Sequence, residues 1–262
     1  MPKAQINNVE INYVLEGDAS LPVLVLSNSL TTDLHLWDEQ ITDFSEHFRV
    51  LRYDNRGHGL SSSASGECSL KDIAGDLTAL MDHEGIETAS LCGISMGGMV
   101  GMWLGINAPE RINKLILCNT SSDVSPRELW QTRIDTVLEK GMSAIVEGAL
   151  QRFVSEHFRN SGSKKIDLLK SMIVSCAPEG YAGCCAAVRD MNLTAELNRI
   201  HKSTLVIAGE LDPSTPVSHS ELINRHIEGS ELSVIGGVAH LSNIEKPEEF
   251  NQLVLGFLLR ED

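Results

Sequence analysis

The chain has no long apolar run. Nowhere do roughly 18 apolar residues follow one another, the length needed to cross a bilayer, so no membrane span is expected. Its first residues, MPKAQINNVEINYV, lack the apolar stretch and small-residue cleavage site of an export signal, so a cytoplasmic protein is expected. Basic residues are scarce: 21 Lys and Arg face 36 Asp and Glu, a formal charge of -15, and no basic cluster occurs. That balance excludes nucleic acid and anionic membrane surfaces as partners. There is no CxxC pair and no His/Cys spacing that suits zinc. Of the six cysteines, Cys92 and Cys118 sit in strand-like runs, and the adjacent Cys184 and Cys185 are too constrained to bridge each other easily. Reduced thiols are the expected state. Internal repeats and low-complexity tracts are also missing.

What is present is a regular alternation of two patterns. With 262 residues and 42% hydrophobic content, the chain can bury a sizeable core. Short apolar runs without alternation occur at Pro22–Ser27, Arg49–Tyr53, Ala89–Gly93, Lys114–Asn119, Ser203–Gly209 and Glu231–Gly236. Strands of a parallel sheet covered on both faces read this way. Helical periods lie between them, near Leu36–Phe48, Leu70–Glu84, Gly97–Ala108, Ser218–Ile227 and Pro247–Leu259. Gln5–Glu16 alternates and predicts an antiparallel hairpin at one edge. The fold class is therefore α/β, a doubly wound, mostly parallel sheet. From about Val124 to His201 no buried strand pattern appears, only helical segments at Pro126–Lys140, Met142–His157, Lys165–Ser175 and Pro178–Met191. This predicts a core of residues 1–123 and 202–262 and a helical lid over 124–201, laid across the carboxyl ends of the strands.

The run Gly93-Ile94-Ser95-Met96-Gly97 joins a predicted strand to a predicted helix. G-x-S-x-G in that setting is a nucleophile elbow: the serine sits on a strained turn, and small neighbours avoid clashes. The helix that follows points its positive end at the serine oxygen, and the Met96 N–H is free for an oxyanion. A serine needs a base and the base an orienting carboxylate, in the chain order Ser, Asp or Glu, His. Asp212 and His240 each follow a predicted strand in that order, with Glu210 as the nearest rival acid and Asp123 a more distant one. Of nine histidines, His83, His157, His219 and His226 read as surface or boundary residues, His58 as a turn residue and His201 as lying on the wrong edge. His35 falls near the active edge as a supporting residue. A second oxyanion donor is expected from the loop after the strand at Pro22–Ser27, as the backbone N–H of Leu30.

Ser27-Asn28-Ser29-Leu30, Thr32–Trp37, Arg52-Tyr53-Asp54 with Arg56-Gly57-His58-Gly59, GISMGGM and Trp103-Leu104-Gly105 together resemble the α/β-hydrolase fold. The lid stretch Gly180–Met191 and the tail Ala239–Glu245 narrow the likeness to the 3-oxoadipate enol-lactonases, nearly end to end. One departure is the Asn28-Ser29-Leu30 loop, where many relatives carry His-Gly; it alters side chains but not a backbone donor. The resemblance implies a sheet of about eight strands. It also implies an enol-lactone substrate from the β-ketoadipate route of aromatic catabolism, with no metal and no organic cofactor. Such a lactone carries a carboxylate, so the lid should offer a cation, with Arg133 and Arg189 as candidates and Trp130 as a pocket wall. Tyr181, Cys184 and Cys185 share one helical face and read as packing. A general carboxylesterase and a cofactor-free haloperoxidase-like enzyme share the same triad and stay open. So does a ligand-binding receptor of the same fold, although all three triad positions are filled. Homo-oligomerisation is left open.

Overall fold

A computed structural model describes residues 2–260. The chain starts with a hairpin, β1 (Lys3–Ile6) and β2 (Val9–Glu16), turned at Asn7 in a left-handed conformation with φ 51°. Next come β3 (Val23–Ser27), α1 (Asp38–Phe44), β4 (Arg49–Tyr53), α2 (Leu70–His83), β5 (Ala89–Ile94), α3 (Met96–Asn107) and β6 (Ile112–Cys118). The strands form one sheet in the order β1-β2-β4-β3-β5-β6 and then β7 (Thr204–Gly209) and β8 (Glu231–Ile235). Only β1 and β2 run antiparallel to their neighbours; from β4 onward all pairs are parallel. β5 and β7 are buried along their whole length, which is why they read as unbroken apolar runs.

Helix starts follow local chemistry. Ser69 and Asp72 form a reciprocal capping box at the head of α2. Pro247 opens the last helix at a position where no N–H is needed.

Between β6 and β7 the chain leaves the sheet as α4 (Arg127–Lys140), α5 (Val146–Phe153), α6 (Glu156–Arg159), α7 (Lys164–Ser175) and α8 (Pro178–Asp190). The sequence predicts one helix over Met142–His157, but the structure breaks it into a 3-10 turn at Met142–Ile145, α5 and α6. Tertiary bonds explain the break. The Phe153 carbonyl is taken by the Leu241 N–H at 2.7 Å, and Ser155 caps α6 while donating its hydroxyl to Glu245 at 2.5 Å. Glu245 also accepts from the Ser155 and Ala239 N–H groups, so the lid's bend is tied to the loop around residue 240. The chain then returns through β7, α9 (Val217–His226), β8, α10 (Ser242–Glu245) and α11 (Pro247–Leu258). Among the described residues, no helix is long and apolar enough to cross a membrane.

Candidate active site

Ser95 stands between β5 and α3 with φ 57° and ψ -114°, a region that side-chain-bearing residues avoid. The surroundings hold it there. Its N–H donates to the Cys118 carbonyl at 2.9 Å and its carbonyl accepts the Thr120 hydroxyl at 2.7 Å. The two glycines of the motif permit the close approach: a Cβ on Gly93 would lie 2.2 Å from the Gly97 carbonyl oxygen, and one on Gly97 2.1 Å from that of Ser27. The Gly97 N–H is taken by the Asn28 carbonyl, which clamps the elbow to the loop after β3.

In that loop Asn28 is anchored on both sides, donating to the Tyr53 carbonyl at 2.7 Å and accepting from the Trp37 indole at 2.8 Å. Thr31 follows with φ 70°. Ser29, Leu30 and Thr31 line the same cavity as Ser95.

Asp212 leaves the end of β7 and His240 the loop after β8. Asp212 Oδ2 accepts from His240 Nδ1 at 2.7 Å, with their side chains 0% and 3% exposed. The carboxylate also accepts from the Ser214 and Thr215 N–H groups, the Thr215 hydroxyl and the Asn119 amide. Burial pushes the Asp212 pKa upward, but the neighbouring His240 and the bonds from His240 and Thr215 outweigh it and hold the acid below its ordinary value. Asn119 also reaches the Ala239 carbonyl and accepts from Ser242, so both loops share one support. The rival acids are elsewhere. Glu210 accepts the Gly237 N–H on the surface, and Asp123 sits in an isolated bridge with Asn192.

Ser95 and His240 open into a cavity of about 410 Å³ between the sheet and the lid. Phe153 of α5 stacks on His240, with ring centroids 6.0 Å apart and planes 16° apart. Trp130 and Arg133 of α4 line the lid side. The indole donates to the Val124 carbonyl, and the guanidinium lies over the indole, 4.4 Å from its centroid.

Arg189 is a correction. It bonds Glu67, Asp190 and Gln131 and does not line the cavity, so its charge is spent on holding α8 to its neighbours. His35 is also away from the cavity, paired with Asp38 on the surface.

Arg152, which the sequence reading does not single out, lines the cavity, and so do His219 and Tyr181, which read there as surface and packing residues. Arg152 carries a sequence signal, because it shares the face of α5 with Ala149 and Phe153, a cation on an otherwise apolar stripe. Burial and then the neighbouring Arg133 both push the Arg152 pKa down. Among the described residues, neither Arg133 nor Arg152 pairs with a carboxylate. His219 and Tyr181 could not be placed without the tertiary fold, which brings α9 and α8 to the same wall.

Comparison with known proteins agrees with this architecture. The α/β hydrolase fold model matches residues 22–247. The 3-oxoadipate enol-lactonase 2 of Acinetobacter baylyi is 38% identical over 97% of this chain and 94% of its own. The crystal structure of the enol-lactonase from Burkholderia xenovorans LB400 superposes with a TM-score of 0.97 at 34% identity, covering 99% of this chain and 100% of that one. A hydrolase structure from Pseudomonas aeruginosa PA01 gives 0.94 at 41% identity, covering 96% and 95%. The chain belongs to the α/β-hydrolase fold family, and among its members it closely resembles the 3-oxoadipate enol-lactonases.

Proposed function

We propose that the protein is a serine hydrolase that opens 3-oxoadipate enol-lactone to 3-oxoadipate through Ser95, His240 and Asp212. Ser95 Oγ adds to the lactone carbonyl while His240 takes its proton. The oxyanion that forms is held by the N–H groups of Leu30 and Met96. When the ring C–O bond breaks, the enol oxygen leaves and takes the proton from His240. The leaving group of a lactone stays attached to the acyl chain on Ser95, so water must complete the reaction in the same cavity. His240 deprotonates that water, which attacks the acyl carbon and frees the serine. The enol becomes a ketone by moving its proton to carbon. Asp212 keeps the imidazole in the required tautomer and stabilises its cation.

The observation that carries the substrate class is the lid. Arg133 and Arg152, without carboxylate partners among the described residues, border the cavity that holds Ser95 and His240. A small lactone with its own carboxylate suits that wall, its ring at the serine and its anion at the guanidiniums. A neutral ester would leave both charges unanswered. The names of the relatives point the same way.

The test is to generate the enol-lactone enzymatically from muconolactone and follow its loss with the wild type and with Ser95→Ala. Rapid loss with the wild type and a fall of at least about a thousandfold in the variant are expected. If the wild type left the lactone intact but turned over simple aryl esters, the general carboxylesterase reading would replace this one.

A further inference from the structure

Two pairs of thiols meet inside this molecule, and they differ in access. Cys92 and Cys118 lie on adjacent central strands with Sγ atoms 3.9 Å apart, both fully buried. Cys68 and Cys184 meet where the core loop before α2 touches lid helix α8. The Cys68 N–H donates to the Gly183 carbonyl at 3.4 Å, and Cys68 Sγ lies 3.9 Å from where a Gly183 Cβ would stand. Cys184, the next residue, is completely buried and directs its thiol at the Arg56 carbonyl, 3.6 Å away. Cys68 is only half-buried and borders a second cavity of about 380 Å³, which Arg56 and Lys71 also line.

We propose that Cys68 and Cys184 form a peroxide-reactive dithiol, in which Cys68 is oxidised first and Cys184 closes a disulfide onto it. The inference does not depend on the reaction proposed for Ser95. Cys68 directly precedes Ser69, the cap of α2, so the positive end of that helix favours a thiolate there. The Cys184 thiol and, less strongly, the Arg56 guanidinium hold the Cys68 pKa below the ordinary thiol value against the opposing effects of burial and of the Asp72 and Asp76 carboxylates. Cys184 is displaced the other way, through Cys68 and its own burial, and so stays protonated until its partner reacts.

The steps balance. The Cys68 thiolate attacks one oxygen of hydrogen peroxide; the O–O bond breaks, leaving a sulfenic acid and, after protonation, water. The Cys184 sulfur then attacks the Cys68 sulfur, the S–O bond breaks, and the hydroxide leaves as water with the Cys184 proton. Peroxide gains two electrons and each sulfur gives up one. The product fastens the core loop to α8, the helix that also carries Tyr181 into the cavity of Ser95.

The folded full-length protein should be treated with hydrogen peroxide, its free thiols blocked, and its peptides mapped by mass spectrometry. The expected first product is a Cys68–Cys184 disulfide, lighter by two hydrogen atoms and reversed by dithiothreitol, with Cys92 and Cys118 still reduced. Cys68→Ser, a change in a half-buried loop, should abolish this early thiol loss while the thermal melt stays unchanged. Cys184→Ala should leave a sulfenic acid at Cys68 that dimedone captures. Unchanged thiol loss in Cys68→Ser, a Cys68 that stays reduced, or a parent chain in which Cys68 passes to sulfinic acid while Cys184 remains free would each overturn the proposal.

Discussion

The two sides of the main cavity are built by opposite rules. On the core side, Asp212 accepts bonds from His240, Ser214, Thr215 and Asn119, and the loops that carry it and His240 share Asn119 as a support. On the lid side, Arg133 and Arg152 approach each other closely enough that the charge of one disfavours the charge of the other. A saturated acid fixes one geometry and accepts no further partner. A cation without a carboxylate is costly to bury and is stabilised when an anion arrives. Under the proposed function, the chemistry belongs to the core side and the choice of substrate to the lid side.

The comparison can be broken most severely on the core side. Asp212→Asn should keep the shape of the loop but present the wrong donor to His240 Nδ1; kcat should fall by about 10⁴ with little change in KM, measured by steady-state kinetics. If KM moved instead, the division of labour would fail.

A smaller effect, of the opposite kind, is expected from the lid. Arg152→Met retains the apolar stem and removes the charge. Bonds to a charged group are worth about 1.5–3 kcal/mol, so KM for the carboxylate-bearing lactone should rise by about 10- to 150-fold while kcat changes little. The same kinetics with a neutral ester should show almost no change.

The smallest effect is on stability. Because the folded-state pKa of Asp212 is depressed, its contribution is fully present above the unfolded carboxylate value of about 4 and is lost as pH falls through the folded value. Urea unfolding should therefore show a loss of stability on acidification that is shallower in Asp212→Asn than in the wild type. Parallel profiles in the two proteins would mean that Asp212 contributes nothing to the acid limb.

What could be read in advance follows the same division. The proposed triad of Ser95, Asp212 and His240 is legible because each follows a strand, in the chain order Ser, Asp, His. The strands are legible because β5 and β7 are buried on both faces and so carry almost only apolar residues. The lid resists such reading. Arg133 and Arg189 look alike as basic residues on helices, yet one stacks on Trp130 at the cavity and the other is held by Glu67 and Asp190. Which it is depends on the packing of α4 against α8, information that local spacing does not carry. Arg152 is illegible for a related reason: spacing puts it on the face of Ala149 and Phe153, but only the tertiary fold brings that face to the cavity. His219 reads as a surface residue on α9 until the turn through Pro213 and Pro216 brings it to the cavity.

The most direct measurement is the kcat/KM ratio for the enol-lactone over its neutral methyl ester, in the wild type and in the Arg133→Met, Arg152→Met double variant. The account predicts a strong preference for the free carboxylate in the wild type that collapses toward unity in the double variant, while kcat for the neutral ester is preserved. A preference that survives the loss of both arginines, or one that is missing from the wild type, would contradict it.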